Sequence, residues 1–226
     1  MPQIPGLRAA LFDAYGTLFD VASAASAARD ALGERWERVA EVWRSKQLQY
    51  TWLRSLEGRH ADFAAVTADA LDFALEAVGV ARDAALRARL LDLYERLAAY
   101  PDARDALARA RAAGLRTGIL SNGTPAMLAA AVQSAGLADL LDAVISIEEV
   151  GIYKPHPSVY AHGAKRIGAA PAEILFVSSN GWDADGAKAF GYRVVWCNRA
   201  GAPQERLPHA PDAVVTTLAD VTGLVR

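Results

Sequence analysis

The chain has 226 residues, of which 53% are hydrophobic and 22% charged, a balance that suits one globular domain or a core domain with a smaller insertion. A net charge of -2 argues against a general nucleic-acid-binding surface. The single cysteine excludes an internal disulfide and a cysteine-rich zinc site, and the four histidines show no metal-ligand spacing.

The first predicted element is a short apolar run, residues 9–12, which is typical of a buried strand. Asp13 follows this run directly, and Gly16 three residues later predicts a turn. In an open α/β sheet, a carboxylate at the carboxyl end of a strand lies where ligands bind. Asp is also a good cap for a following helix, so this stretch alone leaves both roles open.

The next segment, residues 20–98, is rich in Ala, Leu, Arg and Glu and contains no convincing strand. Apolar residues at helical spacing predict three helices within it, at 36–53, 63–77 and 84–97. We interpret 20–98 as a helical cap domain, inserted after the first strand and standing over the strand end that carries Asp13. Residues 1–19 and 99–226 then form the α/β core domain.

Strands and helices alternate through the rest of the chain. Helices are predicted at 102–113, 125–135, 158–167 and 185–190, and strands at 117–120, 143–147, 174–177, 194–197 and 213–215. Strands that alternate with helices of about ten residues indicate parallel βαβ units with right-handed crossovers. The predicted fold class is therefore α/β, with a doubly wound, Rossmann-like parallel sheet.

Polar side chains follow several of these predicted strands. Ser121 and Asn122 come after the second strand, Lys154 lies in the loop beyond the third, and Asp183 is in the segment after the fourth. Because the carboxyl ends of parallel strands meet at one edge of a sheet, we expect these groups to converge with Asp13 on one site.

Each of these residues also has a purely structural interpretation. Ser121 and Asn122 could cap the helix at 125–135, and Asp183 could cap the helix after it. Lys154 could be a solvated loop lysine, which is the usual fate of lysine. Among the other candidates, Arg44 could lie on a solvated helix face, and the aromatic residues could simply pack in the core: Tyr15, Tyr160 and Trp182.

Four motifs occur in order along the chain: Phe12-Asp13-Ala14-Tyr15-Gly16-Thr17-Leu18, Leu120-Ser121-Asn122-Gly123, Tyr153-Lys154-Pro155 and residues 176–183. Together they resemble the haloacid dehalogenase superfamily and, more narrowly, its L-2-haloacid dehalogenases. The resemblance covers essentially the whole chain, including the helix at 43–53. One Asp-x-x-Gly-Thr motif is only moderately specific, but the four in order, with Ser-Ser-Asn-x-Trp-Asp in the last, are highly specific.

Most members of this superfamily are magnesium-dependent phosphatases, and two departures argue against that activity here. The acid that protonates a phosphatase leaving group stands two residues after the nucleophile, where this chain has Tyr15. The last motif of a phosphatase has two acids that help to hold Mg²⁺, whereas here Asp183 stands among neutral groups. A halide leaves without protonation but needs donors for its charge. The resemblance therefore implies carbon–halogen cleavage without a metal or another cofactor.

The implied reaction begins when Asp13 displaces the halide from a short L-2-haloacid, haloacetates included, by backside attack. Water then hydrolyses the resulting ester to a 2-hydroxy acid of inverted configuration. At the matching positions, the resemblance implies that Arg44 and Asn122 hold the halide. Ser121 would bind the substrate carboxylate, and Lys154 would keep the nucleophile charged and oriented.

The remaining implied roles concern water and the walls of the site. Asp183, with Ser178 and Asn180, would position or activate the hydrolytic water. Thr17 and Tyr160 would tie the loops and the lysine together. An apolar wall would surround the alkyl part of the substrate, formed by Tyr15, Leu48, Phe63 and Trp182.

Two positions, Ser45 and His156, depart from the residues that relatives often carry, and the sequence does not show their effect. Two other functions stay open: a magnesium-dependent phosphatase or phosphonatase of the same superfamily, and a non-catalytic binding protein. Residues 1–6 lack a signal-peptide pattern, and no apolar run approaches the roughly 18 residues of a membrane span. We expect a soluble, cytoplasmic protein that contacts no membrane and, by analogy with relatives, forms a homodimer.

Overall fold

The structure is a computed structural model that describes residues 4–224. Six parallel strands occur in the order β3-β2-β1-β4-β5-β6. Their bounds are β1 Ala9–Phe12, β2 Arg116–Ser121, β3 Ala143–Ser146, β4 Ile174–Ser178, β5 Arg193–Cys197 and β6 Ala213–Val215. The order reverses at β1, which is the arrangement of a doubly wound sheet. The predicted fold class is confirmed.

Helices flank this sheet and fill the segment after β1. Their bounds are α1 Ser23–Ala27, α2 Arg29–Leu32, α3 Trp36–Glu57, α4 Phe63–Ala77, α5 Ala84–Glu95, α6 Ala103–Ala112, α7 Pro125–Ser134, α8 Pro157–Ile167, α9 Gly181–Phe190 and α10 Leu218–Val221. None of the helices within residues 4–224 has both the length and the apolar character needed to cross a bilayer.

The central strands β1 and β4 are buried along their whole length, which explains why both read as continuous apolar runs. Phe12 at the end of β1 is level with Ile119 of β2 and Val177 of β4. The chain therefore leaves these three neighbouring strands at the same edge of the sheet. This alignment brings the polar residues that follow each strand together.

The helices α1 to α5 lie between β1 and α6, and α3 packs along the whole of α4. The chain enters and leaves this segment side by side, because Asp20 donates its backbone N–H to Ala98 (2.8 Å) and Tyr100 donates to Leu18 (2.8 Å). These crossings lie close to the predicted boundaries at 19/20 and 98/99. The division into core and cap domains itself stays a prediction.

The predicted start of the helix at 185–190 is wrong, because α9 begins four residues earlier, at Gly181. Asn180 has the extended backbone of a residue just before a helix, and the Ser178 hydroxyl accepts its N–H (3.1 Å). A turn of glycine, tryptophan and aspartate had the composition of a loop, which concealed the first helical turn. Asp183 therefore lies inside α9 and does not cap it.

Candidate active site

Asp13 lies at the centre of the site, directly after β1. Its Oδ1 accepts a hydrogen bond from Lys154 Nζ (3.1 Å), and its Oδ2 accepts from Asn180 Nδ2 (2.8 Å) and from the Thr17 hydroxyl (3.3 Å). Its backbone N–H donates to Val177 O (2.9 Å) in the neighbouring strand. The carboxylate is buried and held by side-chain donors from three loops, and none of these donors is a backbone N–H at the start of a helix.

Lys154 is a buried cation with only 1% of its side chain exposed. Its ammonium bridges the two carboxylates of the site, because it also donates to Asp183 Oδ2 (2.9 Å). Burial by itself lowers the pKa of this lysine, but the two negative charges outweigh burial and raise it above the usual value. The solvated-lysine alternative is wrong.

Asp183 is fully buried and receives a second hydrogen bond from the Tyr160 hydroxyl to Oδ1 (2.7 Å). Burial raises the pKa of Asp183 above the usual aspartate value, the Lys154 ammonium opposes that rise, and the charge of Asp13 adds to it. Burial also raises the pKa of Tyr160 well above its usual value, so the phenol stays a proton donor. Tyr160 thus both packs in the core and orients Asp183.

Thr17 and Ser178 shape the two loops that meet over β1 and β4. The Thr17 hydroxyl oxygen accepts the N–H of Ser179 (2.8 Å) while the hydroxyl itself donates to Asp13. Ser178 accepts the N–H of Asn180 and makes no hydrogen bond to Asp183 within residues 4–224. Thr17 therefore joins the two loops, and Ser178 contributes through the turn that leads into α9.

The loop after β2 carries Ser121, Asn122 and Gly123, which are not helix caps. Thr124 caps α7 instead, through its hydroxyl oxygen and the N–H of Met127 (3.2 Å). Ser121 Oγ accepts the N–H of Gly123 (3.1 Å), and Asn122 Oδ1 accepts the N–H of Lys154 (3.1 Å). The loops after β2 and β3 are thereby joined beneath the carboxylate of the site.

Arg44 reaches this edge of the sheet from α3 and is half-buried. Its Nη2 donates to the backbone oxygen of Tyr15 (3.1 Å) and to Asn180 Oδ1 (3.4 Å). Asn180 donates in turn to Asp13, so a single side chain, that of Asn180, links the guanidinium to the carboxylate. The solvated-face alternative is wrong for Arg44.

The residues predicted to form an apolar wall do not make one continuous cluster. The Tyr15 ring lies 5.5 Å from the Phe63 ring and packs on Gly123, where an added Cβ would meet Tyr15 Cε2 at 2.7 Å. Trp182 lies on the other side, edge-on to Trp52 at 5.4 Å. Leu48 is half-buried on α3, one turn after Arg44.

The two positions that depart from relatives lie outside this network. His156 precedes α8, where its Nδ1 accepts the N–H of Ser158 (3.3 Å) and so caps the helix. Ser45 is exposed on α3. A carboxylate-rich metal site is also missing from the described ranges, since no three His, Cys, Asp or Glu side chains within residues 4–224 are grouped to hold an ion.

Comparison with known proteins identifies the family. Residues 7–191 match the family model described as haloacid dehalogenase-like hydrolase. The chain is 48% identical to (S)-2-haloacid dehalogenase 1 of Pseudomonas sp. (strain CBS-3), with 88% of each chain covered. It is 45% identical to the (S)-2-haloacid dehalogenase of Xanthobacter autotrophicus, covering 97% of this chain and 95% of the relative. The chain belongs to the haloacid dehalogenase-like hydrolase family.

One solved structure in this family is that of the L-2-haloacid dehalogenase from Xanthobacter autotrophicus with chloropropionic acid covalently bound. It aligns with a TM-score of 0.89 and 44% identity, over 96% of this chain and 98% of that one. The resemblance stated from the four motifs is therefore confirmed, both for the superfamily and for its L-2-haloacid dehalogenases.

Three buried polar side chains near the site were not predicted from the sequence as functional residues. Gln47, Thr67 and Tyr94 are buried on α3, α4 and α5, and they are linked by hydrogen bonds to Arg44. The signal that could have found Gln47 is a lone amide within the apolar stripe of α3. Thr67 and Tyr94 carry no such signal, because both residue types are common in helix cores.

Proposed function

We propose that this protein hydrolyses the carbon–halogen bond of short L-2-haloalkanoic acids, haloacetates included, to 2-hydroxy acids of inverted configuration. The observation that carries the proposal is the position of the Asp13 carboxylate, which Lys154, Asn180 and Thr17 hold at one edge of the sheet. The Arg44 guanidinium reaches the same edge and contacts Asn180. Tyr15 stands two residues after Asp13, where a phosphatase carries the acid that protonates its leaving group, so the site suits a leaving group that needs no proton.

In the first step, an oxygen of Asp13 attacks the carbon that carries the halogen. The new carbon–oxygen bond forms as the carbon–halogen bond breaks, and the halide leaves with the bonding electron pair. Arg44 and Asn122 donate hydrogen bonds to the departing halide, and Ser121 binds the substrate carboxylate. Orientation of a desolvated carboxylate supplies much of the rate, because the reacting atoms are held at contact distance.

In the second step, water attacks the carboxyl carbon of Asp13 and releases the hydroxy acid. Asp183 accepts a proton from this water and returns it to the alkoxide oxygen of the leaving hydroxy acid. The second proton of the water passes to solvent as the Asp13 carboxylate is restored beside Lys154. Asn180 and Ser178 keep the loop that faces the ester in position. Attack from the rear in the first step and cleavage at the carboxyl carbon in the second give one inversion overall.

The helical segment 20–98 is proposed to act as a cap that excludes bulk water until the ester has formed, with Tyr15, Leu48, Phe63 and Trp182 around the alkyl group. A homodimer is also proposed. It is supported by apolar side chains left exposed on α3 and α4, among them Leu56 (85% exposed), Leu53 (44%) and Phe73 (39%). The cytoplasmic location stays a prediction.

A magnesium-dependent phosphatase is less well supported by the residues present. The Lys154 ammonium lies between the two carboxylates, 3.1 Å and 2.9 Å from them, and so compensates part of their negative charge without a metal. Tyr15 offers no carboxyl group to protonate an alkoxide.

Halide release from L- and D-2-chloropropionate, with and without excess EDTA, tests the proposal. We expect release from the L-isomer alone and at the same rate in EDTA. Release of no halide from either isomer would overturn the proposal for short haloacids. A requirement for magnesium would instead favour the phosphatase, and phosphate esters would then be assayed.

A further inference from the structure

Arg44 is surrounded on its helical side by a buried polar group made of Gln47, Thr67 and Tyr94. These side chains come from three different helices, and Gln47 is completely inaccessible to solvent. A buried amide costs folding free energy unless its donors and acceptors are paired. None of the three takes part in the reaction steps above, so their arrangement needs a separate explanation.

Thr67 determines which way the Gln47 amide faces. The Thr67 hydroxyl has one hydrogen, which it donates to the backbone oxygen of Phe63 (2.6 Å). Its oxygen is then free to accept from Gln47 Nε2 (2.7 Å). The amide must therefore turn its NH₂ toward Thr67 and its Oε1 toward the opposite side.

Gln47 Oε1 receives two donors on that opposite side, Arg44 Nη1 (2.8 Å) and the Tyr94 hydroxyl (3.1 Å). A reversed amide would place an N–H group against the Arg44 guanidinium, which can only donate. The Tyr94 ring is fixed between the rings of Trp43 (5.0 Å) and Tyr15 (5.6 Å). The acceptor that faces the guanidinium is thus held in one orientation by α3, α4 and α5 together.

The consequence for Arg44 is that one side of its guanidinium is occupied by the helices and the other faces the sheet. With Nη1 bound to Gln47, Nη2 points to Tyr15 O and Asn180 Oδ1. A long arginine side chain held at one end only would sample several rotamers. Two-sided anchoring aims it at the place where charge develops in the reaction.

We infer that Gln47 is a positioning residue for Arg44, oriented by Thr67 and supported by Tyr94, and that it acts on the halide-expulsion step. The inference rests on the proposed function, in which Arg44 binds the departing halide. Its specific consequence concerns the leaving group. Chloride is a poorer leaving group than bromide, so a misplaced guanidinium slows release of chloride more than release of bromide.

The test compares single-turnover halide release from L-2-chloropropionate and L-2-bromopropionate in Gln47→Glu and Thr67→Val. Glutamate keeps the shape of glutamine but compensates the charge of Arg44, so we expect chloride release to fall about tenfold and the bromide-to-chloride rate ratio to rise about threefold. Thr67→Val removes the acceptor that orients the amide, and we expect the same direction with a smaller change.

Two further variants separate positioning from general damage. Thr51→Val is the matched control, because Thr51 is also buried on α3 but its hydroxyl donates to Leu48 O (2.6 Å) and makes no bond to Arg44, Gln47 or Tyr94. Its ratio should equal that of the wild type. Thr67→Ser keeps the hydroxyl and should restore the ratio that Thr67→Val changes.

The inference is overturned if Gln47→Glu and Thr67→Val unfold at the wild-type temperature and keep the wild-type bromide-to-chloride ratio while the wild-type enzyme is active. If Gln47→Glu does not fold, the neutral pair Thr67→Val and Thr67→Ser decides in the same way. A wild-type protein that releases no halide from either substrate would overturn the proposed function and this inference with it.

Discussion

The sheet side and the helix side of the site hold their functional groups in different ways. On the sheet side, Asp13 follows β1 directly and Lys154 lies in the loop beyond β3. Their backbone N–H groups are fixed by Val177 O and Asn122 Oδ1. On the helix side, Arg44 is held only through its own side chain, which donates to Gln47, to Asn180 and to the backbone oxygen of Tyr15. The nucleophile is therefore set by the register of the sheet, and the guanidinium by the packing of α3 against α4.

This difference indicates a division of labour between the two sides. The sheet edge holds two carboxylates and one ammonium in a buried, nearly fixed arrangement. The helices supply one cation and aromatic surface, and their approach to the sheet determines where these lie. Substitutions on the sheet side should abolish a chemical step, whereas those on the helix side should change how well the site accommodates a given leaving group.

The largest effect is expected from Asp13→Asn, which removes the nucleophile. Halide release should fall at least about 10⁴-fold, because an amide oxygen cannot form the ester at a useful rate. Lys154 keeps Asp183 as a partner, so the variant should still fold, as circular dichroism can show. Undiminished release by a homogeneous variant would mean that another group attacks the carbon.

A smaller but more informative effect is expected from Asp183→Asn. Ester hydrolysis should slow about 10³-fold while halide expulsion continues, so that one covalent adduct per chain accumulates. Intact-protein mass spectrometry after incubation with L-2-chloropropionate would detect it, and peptide mapping should place it on Asp13. Asp185→Asn is the matched control on α9, since Asp185 interacts with the backbone N–H and the ring Nδ1 of His209 and not with Asp13 or Lys154. An adduct in the control, or none in Asp183→Asn despite substrate binding, would contradict the role of Asp183.

The contrast between the two sides also explains how much could be predicted from the sequence. The strands were predictable because a buried parallel strand is a continuous apolar run that ends where polar residues begin, as at Phe12 and Asp13. Once the strands are parallel, convergence of Asp13, Lys154 and Asp183 follows from topology. The roles implied for them needed the four motifs in addition.

The helix side was harder to predict for a physical reason. Which residues of α3 face the sheet depends on the angle at which it packs on α4, and one sequence does not determine that angle. Gln47 and Thr67 meet across two helices, 20 residues apart in sequence. The first turn of α9 was missed because its polar and glycine residues favour loops in isolation, and here the surrounding strand ends override that preference.

On the helix side, Arg44→Lys should lower halide release about 10²-fold, since a single ammonium cannot contact Gln47, the Tyr15 carbonyl and a halide at once. Chloride release should fall more than bromide release. Arg38→Lys is the control on the same helix, because Arg38 pairs with Glu41 at the surface. An equal fall in the rates of chloride and bromide release would mean that Arg44 has a general structural role and does not bind the halide.

The smallest effect, and the one that separates the second step from the first, is expected from Tyr160→Phe. The Tyr160 hydroxyl donates to Asp183 Oδ1 and so favours the ionised carboxylate, whose pKa burial has raised. Loss of this bond raises that pKa further, so that Asp183 becomes protonated at a higher pH as the solution is acidified. Protonated Asp183 cannot take a proton from water, so the acidic limb of ester hydrolysis should move toward neutral pH.

Tyr192→Phe provides the comparison for this shift, because the Tyr192 hydroxyl donates to the backbone oxygen of Tyr160 and its ring packs edge-on to the Tyr160 ring at 6.0 Å. Both substitutions remove one buried hydroxyl from the same cluster. Only Tyr160→Phe changes a bond to the carboxylate, so only it should move the limb when the decay of the ester is followed against pH. An equal shift in both variants would attribute the effect to packing around α8, and no shift in either would mean that Asp183 does not control the acidic limb.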